Sequence, residues 1–238
     1  MKKRFSLGLI LLFILAGGCQ EIIEEPVLPN HDGDPVIKEE TIELMKPEMD
    51  GSMPLEKAIN QRVSRRNFKD TPLGKDKVSQ LLWSAGSKGV DAITGPTRVA
   101  PSAGATHPME LHLVAGRVEG LDAGTYRYLF EDHSLERVGE EDVRKELAEA
   151  ALGQEFIAEA PVSIVVAAHY EKTTGRYGER GKRYVHMEAG NISQNIYLQA
   201  EALNLGTVAI GAFHDNEVAA LLKEGGTPLM IMPAGEVF

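Results

Sequence analysis

Residues 161–168 have the sequence PVSIVVAA, a nearly continuous apolar run that is typical of a strand buried in the centre of a sheet. Residues 188–205 have the sequence EAGNISQNIYLQAEALNL, which contains no proline and is rich in Ala, Leu, Gln and Glu. This composition predicts a long helix. The chain has 238 residues, which suits one globular domain once an N-terminal segment is set aside.

The other predicted elements complete an α+β domain. A helix is expected to begin at Pro54, a good first helical residue, and two more are expected over residues 74–85 and 140–152. Residues 126–130 and 135–138 alternate in polarity around the sequence EDHS, which predicts a β-hairpin. Further strands are predicted at residues 111–115, 207–210 and 228–232.

The N-terminus has the pattern of a secretory signal. Three basic residues at positions 2–4 precede an apolar run over residues 7–16, which is too short to span a bilayer comfortably. The run leads into LAGGC, which resembles the bacterial lipobox with Cys19 as the lipidated residue. We therefore expect residues 1–18 to be a lipoprotein signal peptide. The mature chain would face outside the cytoplasm at the cell envelope and contact the membrane through its lipid anchor only.

Residues 19–53 are expected to form an acidic, proline-rich tether. Between residues 20 and 50 there are ten acids and two bases, and four prolines interrupt the segment. The folded domain is then expected over residues 54–238, which carry a mild negative charge. Because this domain has no basic stripe to neutralise phosphates, nucleic acid is not an expected partner.

The sequence RVSRRNF at residues 62–68 directly follows the first predicted helix. Arg62 and Arg66 bracket the hydroxyl of Ser64. Guanidinium groups direct two donors at phosphate oxygens and keep their charge, so this arrangement suits a phosphate site. The alternative is a solvated basic cap, since positive charge is favourable at the C-terminal end of a helix.

Two further segments contain residues suited to a flat ligand. Residues 101–104, PSAG, let a backbone approach a ligand closely, and Ser102 could cap a helix start whose N–H groups face an anion. Residues 210–212, IGA, end a predicted strand and could direct backbone N–H groups at a ring heteroatom. Each segment also fits an ordinary turn between a helix and a strand.

In this order and at these separations, the three segments resemble the nitroreductase superfamily. The PSAG loop is similar to that of the SagB-type dehydrogenases, which are related to thiazoline-oxidising enzymes. Residues 183–195 and 203–207 resemble the long-helix signature of the same branch. The resemblance covers roughly residues 54–235. It implies a nitroreductase-like fold, with a central mixed β-sheet flanked by helices, and a homodimer with two FMN sites at the subunit interface.

The resemblance also implies a role for each segment. Arg62 and Ser64 would hold the FMN phosphate, and Arg66 would face the N1/O2 edge of the ring and stabilise the reduced flavin. A reduced donor such as NADH or NADPH would give hydride to flavin N5, and a small-molecule acceptor would take it away. The residues implied to pack on the flavin from the other subunit are Pro101, Ser102, Ala103 and Gly104. Those implied to lie against the ring, with a backbone N–H near N5, are Ile210, Gly211 and Ala212.

Two features depart from the family pattern. The chain ends MPAGEVF, without the basic residue that many relatives use to close the phosphate site, and Arg65 or Arg98 could substitute. His107 stands where relatives of this branch carry an aromatic residue.

Three hypotheses about function follow. The first is an FMN enzyme, the second a lipoprotein that binds flavin without turnover as a carrier or sensor, and the third a purely structural envelope lipoprotein. The seven histidines are scattered without ligand spacing, so no metal site is expected.

Overall fold

The computed structural model describes residues 41–91, 95–223 and 225–238, so the expected signal peptide and Cys19 lie outside the described residues. The strands are β1 (Thr41–Glu43), β2 (Leu73–Gly74), β3 (Lys88–Asp91), β4 (Gly95–Arg98), β5 (Met109–Ala115), β6 (Val118–Glu119), β7 (Gly124–Leu129), β8 (Ser134–Gly139), β9 (Val162–Ala168), β10 (Leu205–Thr207) and β11 (Thr227–Glu236). The helices are α1 (Leu55–Gln61), α2 (Lys75–Gly86), α3 (Arg144–Ala150), α4 (Phe156–Glu159), α5 (Tyr170–Tyr177), α6 (Arg180–Ala202) and α7 (Asp215–Leu222).

Seven strands form one sheet in the order β1-β8-β7-β5-β9-β11-β10. The apolar strand β9 lies inside this sheet, where it pairs with β5 on one side and β11 on the other. All seven of its residues are buried, as the continuous apolar run predicts. The predicted hairpin is confirmed as β7 and β8.

The expectation of a mixed sheet was wrong in one respect, because every pairing in this seven-stranded sheet is antiparallel. The cause is the path of the last strand. β9 and β10 run in the same direction, as strands joined by a helical crossover commonly do. However, β11 returns between them and pairs antiparallel with both.

Helix α6 organises the helical part of the domain, since α1, α2 and α5 all pack against it. It has 23 residues and starts eight residues earlier than predicted. Its buried face includes Val185, Ile192 and Ile196, which join the same core cluster as the interior of the sheet. In the described ranges, neither α6 nor any other helix combines the length and the apolar character needed to cross a membrane.

The structure places residues 41–43 in the sheet, within the segment that was expected to serve as a tether up to residue 53. We call residues 41–53 the N-terminal arm. Its first residues form β1, the edge strand beside β8. The Met45 carbonyl, two residues further on, lies 2.8 Å from Ser79 Oγ and 3.0 Å from His133 Nε2. Gln80 exchanges two hydrogen bonds of 2.9 Å with the backbone of Glu48. This short strand is not recognisable in the sequence, because the segment around it is rich in acids and proline. Hydrogen bonds to its partners, rather than an apolar pattern of its own, hold it in place.

The arm covers a cavity of about 840 Å³ between itself and helices α2 and α6. Trp83 is half-buried and lines this cavity together with Met49 and Leu198. Part of α2 therefore faces the cavity, while its Leu81 and Leu82 side chains pack in the core.

A buried polar cluster lies where β5 and β9 run side by side. Glu110 accepts hydrogen bonds from His112, at 2.5 Å, and from His169, at 2.9 Å. Burial alone would raise the pKa of Glu110, but the two imidazole groups outweigh burial and lower this pKa from 4.5 to about 2. Within the described part of the chain, no group of three or more His, Cys, Asp or Glu side chains is arranged to hold a metal ion.

This cluster should make the free energy of unfolding depend on pH under acidic conditions. A carboxylate whose pKa is lowered by folding stabilises the fold above its unfolded pKa, and the contribution is lost as pH falls through the folded value. For Glu110 the window runs from pH 4.5 down to about 2. Since one pKa unit corresponds to about 1.4 kcal/mol, we expect the difference in unfolding free energy between the wild type and Glu110→Gln to shrink by roughly 3 kcal/mol across this window. Urea unfolding at a series of pH values measures it, and a constant difference would contradict the prediction.

Candidate active site

The loop at residues 62–66 leaves helix α1 and passes beside strand β10. The Arg65 N–H donates to the Thr207 carbonyl at 3.0 Å, which fixes the loop to the sheet edge. Ser64 and Arg66 are exposed, and Arg62 is half-buried. Among the described residues, neither Arg62 nor Arg66 forms an ion pair with a carboxylate. Two unpaired guanidinium groups and a hydroxyl therefore face solvent from one short loop, as a phosphate site requires.

Tyr197 of helix α6 connects this loop to the third predicted segment. Its hydroxyl lies 2.9 Å from Ser64 Oγ and accepts a hydrogen bond of 2.8 Å from the Ala209 N–H. The guanidinium carbon of Arg62 lies 5.2 Å from the centre of the same ring, a cation–π distance. The buried Tyr197 side chain therefore holds Ser64 and Arg62 of the loop beside the residues that lead into 210–212.

Glu201 lies one turn beyond Tyr197 on the same face of α6 and holds the middle of the loop. Its carboxylate is 3.4 Å from both the Val63 N–H and the guanidinium of Arg65. Arg65 is thereby directed at α6, while Arg62 and Arg66 on either side of it remain unpaired. Of the two arginines suggested as substitutes for a C-terminal base, Arg65 is thus already paired with a carboxylate of α6.

Residues 210–212 leave an open backbone surface at the same place. Ile210 exchanges two backbone hydrogen bonds of 2.9 Å with Ile231 and is buried, whereas Gly211 and Ala212 are exposed. A Cβ added at Gly211 would meet nothing within 4 Å. Within the described ranges, the N–H groups of Gly211 and Ala212 have no hydrogen-bond partner. These donors are available to a ligand that approaches closely.

The connection between α3 and α4 completes this side of the site. The Gln154 amide nitrogen donates to the Ala212 carbonyl at 3.2 Å, and the guanidinium of Arg66 lies 5.8 Å from the centre of the Phe156 ring. Sequence reasoning missed Gln154, Phe156 and Tyr197, since each belongs to a segment that shows only ordinary helical or turn character. Their contribution depends on the folded chain, in which the loop at residues 62–66, helix α6, residues 210–212 and the connection between α3 and α4 meet.

The loop at residues 101–104 lies elsewhere in the chain. Arg176 of α5 donates to the Gly104 carbonyl at 2.9 Å, and Ser102 accepts from the His107 N–H at 2.9 Å. The Ser102 hydroxyl also hydrogen-bonds Glu188 of α6, whose burial raises its pKa although this bond lowers it. Arg98, the other suggested substitute, stacks over Phe130 at 4.0 Å.

The backbone of this second loop is unusual. Gly104, Ala105 and His107 all have positive φ, at 59°, 53° and 44°. Left-handed conformations outside glycine are uncommon, and they concentrate at functional sites. Burial first and the nearby Arg98 second lower the pKa of His107, and its Nδ1 is buried without a hydrogen-bond partner. His107 is therefore held in an uncommon backbone conformation, and its surroundings favour the neutral form of its ring.

Within one chain, the loop at residues 62–66 and the loop at residues 101–104 lie apart. Glu188 and Tyr197, which contact them, are nine residues apart on α6, so they lie about 13 Å apart along the axis and on opposite sides of the helix. The structure thus unites the first and third predicted segments and leaves the second on another face of α6.

This fold and this site can be compared with those of known proteins. Residues 59–236 match the sequence profile of the nitroreductase family. The chain belongs to the nitroreductase family. It is therefore an oxidoreductase, and the nitroreductase-like fold expected from the sequence is confirmed.

Individual relatives agree with this assignment. The chain is 44% identical over 196 residues to the nitroreductase homologue MJ1384 of Methanocaldococcus jannaschii, covering 82% of this chain and 97% of that protein. A solved nitroreductase homologue from Ralstonia eutropha superposes with a TM-score of 0.72 at 26% identity, covering 90% of this chain and 96% of the other. The microcin B17-processing protein McbC of Escherichia coli is 28% identical over 148 residues, which is 59% of this chain. The match spans about half of McbC, 54% of its length.

Proposed function

We propose that this chain is an FMN-dependent oxidoreductase that transfers two electrons from a reduced donor such as NADH or NADPH to a small-molecule acceptor. One observation carries the proposal: Tyr197 brings the Arg62–Arg66 loop and the open backbone at residues 210–212 to one place. When bound there, FMN would supply the redox chemistry, taking hydride at N5 and returning it to the acceptor. McbC and the PSAG loop favour a place near the SagB-type dehydrogenases.

The residues present fit the parts of FMN. Arg62 and Ser64 offer a charged donor and a hydroxyl to the phosphate, and no carboxylate among the described residues competes for Arg62. The free N–H groups of Gly211 and Ala212 suit the edge of a flat ring, because no side chain stands in front of Gly211. Arg66 keeps an unpaired positive charge at the same place, which favours a ring that gains negative charge on reduction.

A homodimer is part of this proposal. The loop at residues 101–104 contacts Glu188 on the side of α6 away from Tyr197, so in one chain it lies apart from a ring bound beside residues 210–212. A second copy could supply that loop. Sedimentation of the soluble chain should then give twice the monomer mass, and a monomer that binds FMN tightly would remove residues 101–104 from the site.

The test of function uses purified residues 20–238. The protein should be yellow, release FMN rather than FAD on denaturation, and oxidise NADH or NADPH when a quinone or nitroaromatic acceptor is present. A protein that takes up FMN at micromolar concentration but shows no turnover would favour the carrier or sensor hypothesis. Failure to bind FMN at all would overturn the proposal.

We further propose that the mature protein is anchored by lipid on Cys19 and faces outside the cytoplasm. Replacing Cys19 with serine should release the protein from membranes or leave its precursor uncleaved, while the isolated domain keeps its flavin and its activity. The two or three acyl chains of a mature bacterial lipoprotein hold firmly, whereas one chain binds only marginally. Metabolic labelling with fatty acid and membrane fractionation measure this. An unlabelled wild-type chain in the cytosolic fraction would contradict it.

A further inference from the structure

The face formed by α5 and the start of α6 carries a net positive charge. Residues 170–187 contain five bases and two acids, in a chain whose net charge is −10. On α6, positions 180, 183, 184 and 187 are spaced so that they share one side of the helix. We call Arg176, Tyr177, Arg180, Arg183 and Tyr184 the arginine-tyrosine face.

The cations of this face are available to a ligand. Arg176, Arg180 and Arg183 are exposed, and among the described residues none of them pairs with a carboxylate. By contrast, Lys182 points to the other side of α6 and pairs with Glu179 at 2.8 Å. Unpaired arginines that lie together favour an anion, since their guanidinium groups offer several donors at fixed charge.

The tyrosines hold two of these arginines in place. The rings of Tyr177 and Tyr184 meet edge to face with centroids 5.1 Å apart. Arg176 lies 5.4 Å from the centre of the Tyr177 ring, and Arg180 donates to the Tyr184 hydroxyl at 3.1 Å. Guanidinium groups that are already held lose less conformational freedom on binding, and the rings supply flat apolar surface beside the charge.

The face is continuous with the loop at residues 101–104. Arg176 donates to the Gly104 carbonyl, and a Cβ at Gly104 would lie 2.3 Å from the Tyr177 hydroxyl and 2.8 Å from Arg176 Nη1. Gly104 therefore allows the loop to rest directly against the face. An anion held by the arginines would thus lie next to the loop that the proposed function places on the flavin.

We infer that the arginine-tyrosine face recruits a small anionic substrate with a planar ring, such as a sulfonated or carboxylated quinone. This inference rests on the proposed function, because it names the substrate class for the same flavin site. In the overall reaction a reduced nicotinamide loses one hydride, and the quinone gains that hydride and one proton from solvent to become a hydroquinone. The arginines take no part in the electron transfer and act by attracting and orienting the anion.

The experiment compares 1,4-naphthoquinone-2-sulfonate with the neutral quinone menadione in the full chain with FMN bound. We expect the double variant R180Q/R183Q to lower kcat/KM for the sulfonate about tenfold at low salt, and to leave kcat/KM for menadione within about twofold. The matched control K145Q/K182Q also removes two positive charges, from Lys145 on α3 and from Lys182 on the other side of α6, and should leave both values within about twofold. Added salt should reduce the wild-type preference for the sulfonate.

Binding supplies a readout that needs no turnover. Calorimetry with naphthalene-2-sulfonate, which is not reduced, should show a dissociation constant about tenfold weaker in R180Q/R183Q than in K145Q/K182Q. An equal loss for both quinones, an equal loss in the control, or no loss would overturn the inference. Binding to anionic phospholipid vesicles without binding to the sulfonate would also overturn it, because the face would then contact membrane. A wild-type protein that fails to reduce menadione contradicts the proposed function instead, and the calorimetry still tests the face.

Discussion

Replacing Arg62 with alanine should weaken FMN binding by about ten- to a hundredfold, with little change in the stability of the protein without FMN. A hydrogen bond to a charged group contributes roughly 1.5–3 kcal/mol to binding. Among the described residues Arg62 has no carboxylate partner, so its removal breaks no ion pair of the protein itself. Arg62 lies over the Tyr197 ring, and the hydroxyl of the same tyrosine lies 2.9 Å from Ser64 Oγ, so one side chain holds both groups of the proposed phosphate site. Titration of the flavin-free protein with FMN, followed by flavin fluorescence, measures the affinity.

Two further variants separate this effect from a general change of charge. Lys57→Ala removes an exposed cation from α1 and should leave FMN affinity unchanged. Arg66→Ala should lower the reduction potential of bound FMN, or its rate of reduction, more than it lowers affinity, since its proposed partner is the reduced ring. Equal and negligible effects of Arg62→Ala and Arg66→Ala would instead support the alternative that these arginines are a solvated helix cap.

A chain that starts at residue 54 should be less stable than one that starts at residue 39, by about 3 kcal/mol. Removal of the N-terminal arm uncovers the edge of β8 and the apolar wall of the cavity, and it withdraws Ile42 and Leu44 from the core. For a domain of this size, that loss lowers Tm by roughly 6–12 °C. Thermal unfolding of the two chains, followed by circular dichroism, measures the difference.

A point substitution checks that the arm acts through its specific contacts. Gln80→Ala removes both hydrogen bonds to the Glu48 backbone and should cost about 1–2 kcal/mol in the chain that starts at residue 39. In the shorter chain, which lacks Glu48, the same substitution should cost clearly less, because only the 3.4 Å hydrogen bond from Gln80 to the Gln199 side chain remains to be lost. If the two chains melt at the same temperature, the arm adds no stability and the predicted domain boundary at residue 54 is supported.

The parts of the fold predicted correctly from sequence are those in which one local pattern decides the structure. The apolar run at residues 161–168 became the buried strand β9, and the alternating segments on either side of EDHS became the hairpin β7–β8. A strand that is buried on both faces is apolar throughout, and a strand that is buried on one face alternates in polarity. Such a strand can therefore be predicted from its own residues, with little dependence on the rest of the chain. The edge strand β1 has no such pattern, because three residues held by the backbone of β8 need no apolar period of their own.

The candidate site was predictable in its residue types but not in its assembly. Arg62, Ser64 and Arg66 could be named because guanidinium and hydroxyl groups at close spacing suit a phosphate. That they meet residues 210–212 depends on Tyr197, whose position in the middle of a long helix carries no sign of that contact. Hydrogen bonds between residues far apart in sequence leave no local pattern, so only the folded chain reveals them.

By itself, the sequence determined the family, the strong elements and the cationic loop, because each depends on residue chemistry over a short stretch. The tertiary structure alone decided the antiparallel direction of the whole sheet, the inclusion of the arm and the separation of the loop at residues 101–104 from Tyr197. The physical reason is the same in all three cases. The path of β11, the pairing of β1 and the two opposite faces of α6 are set by contacts between distant segments, and the free energy of those contacts is gained only when the whole domain folds.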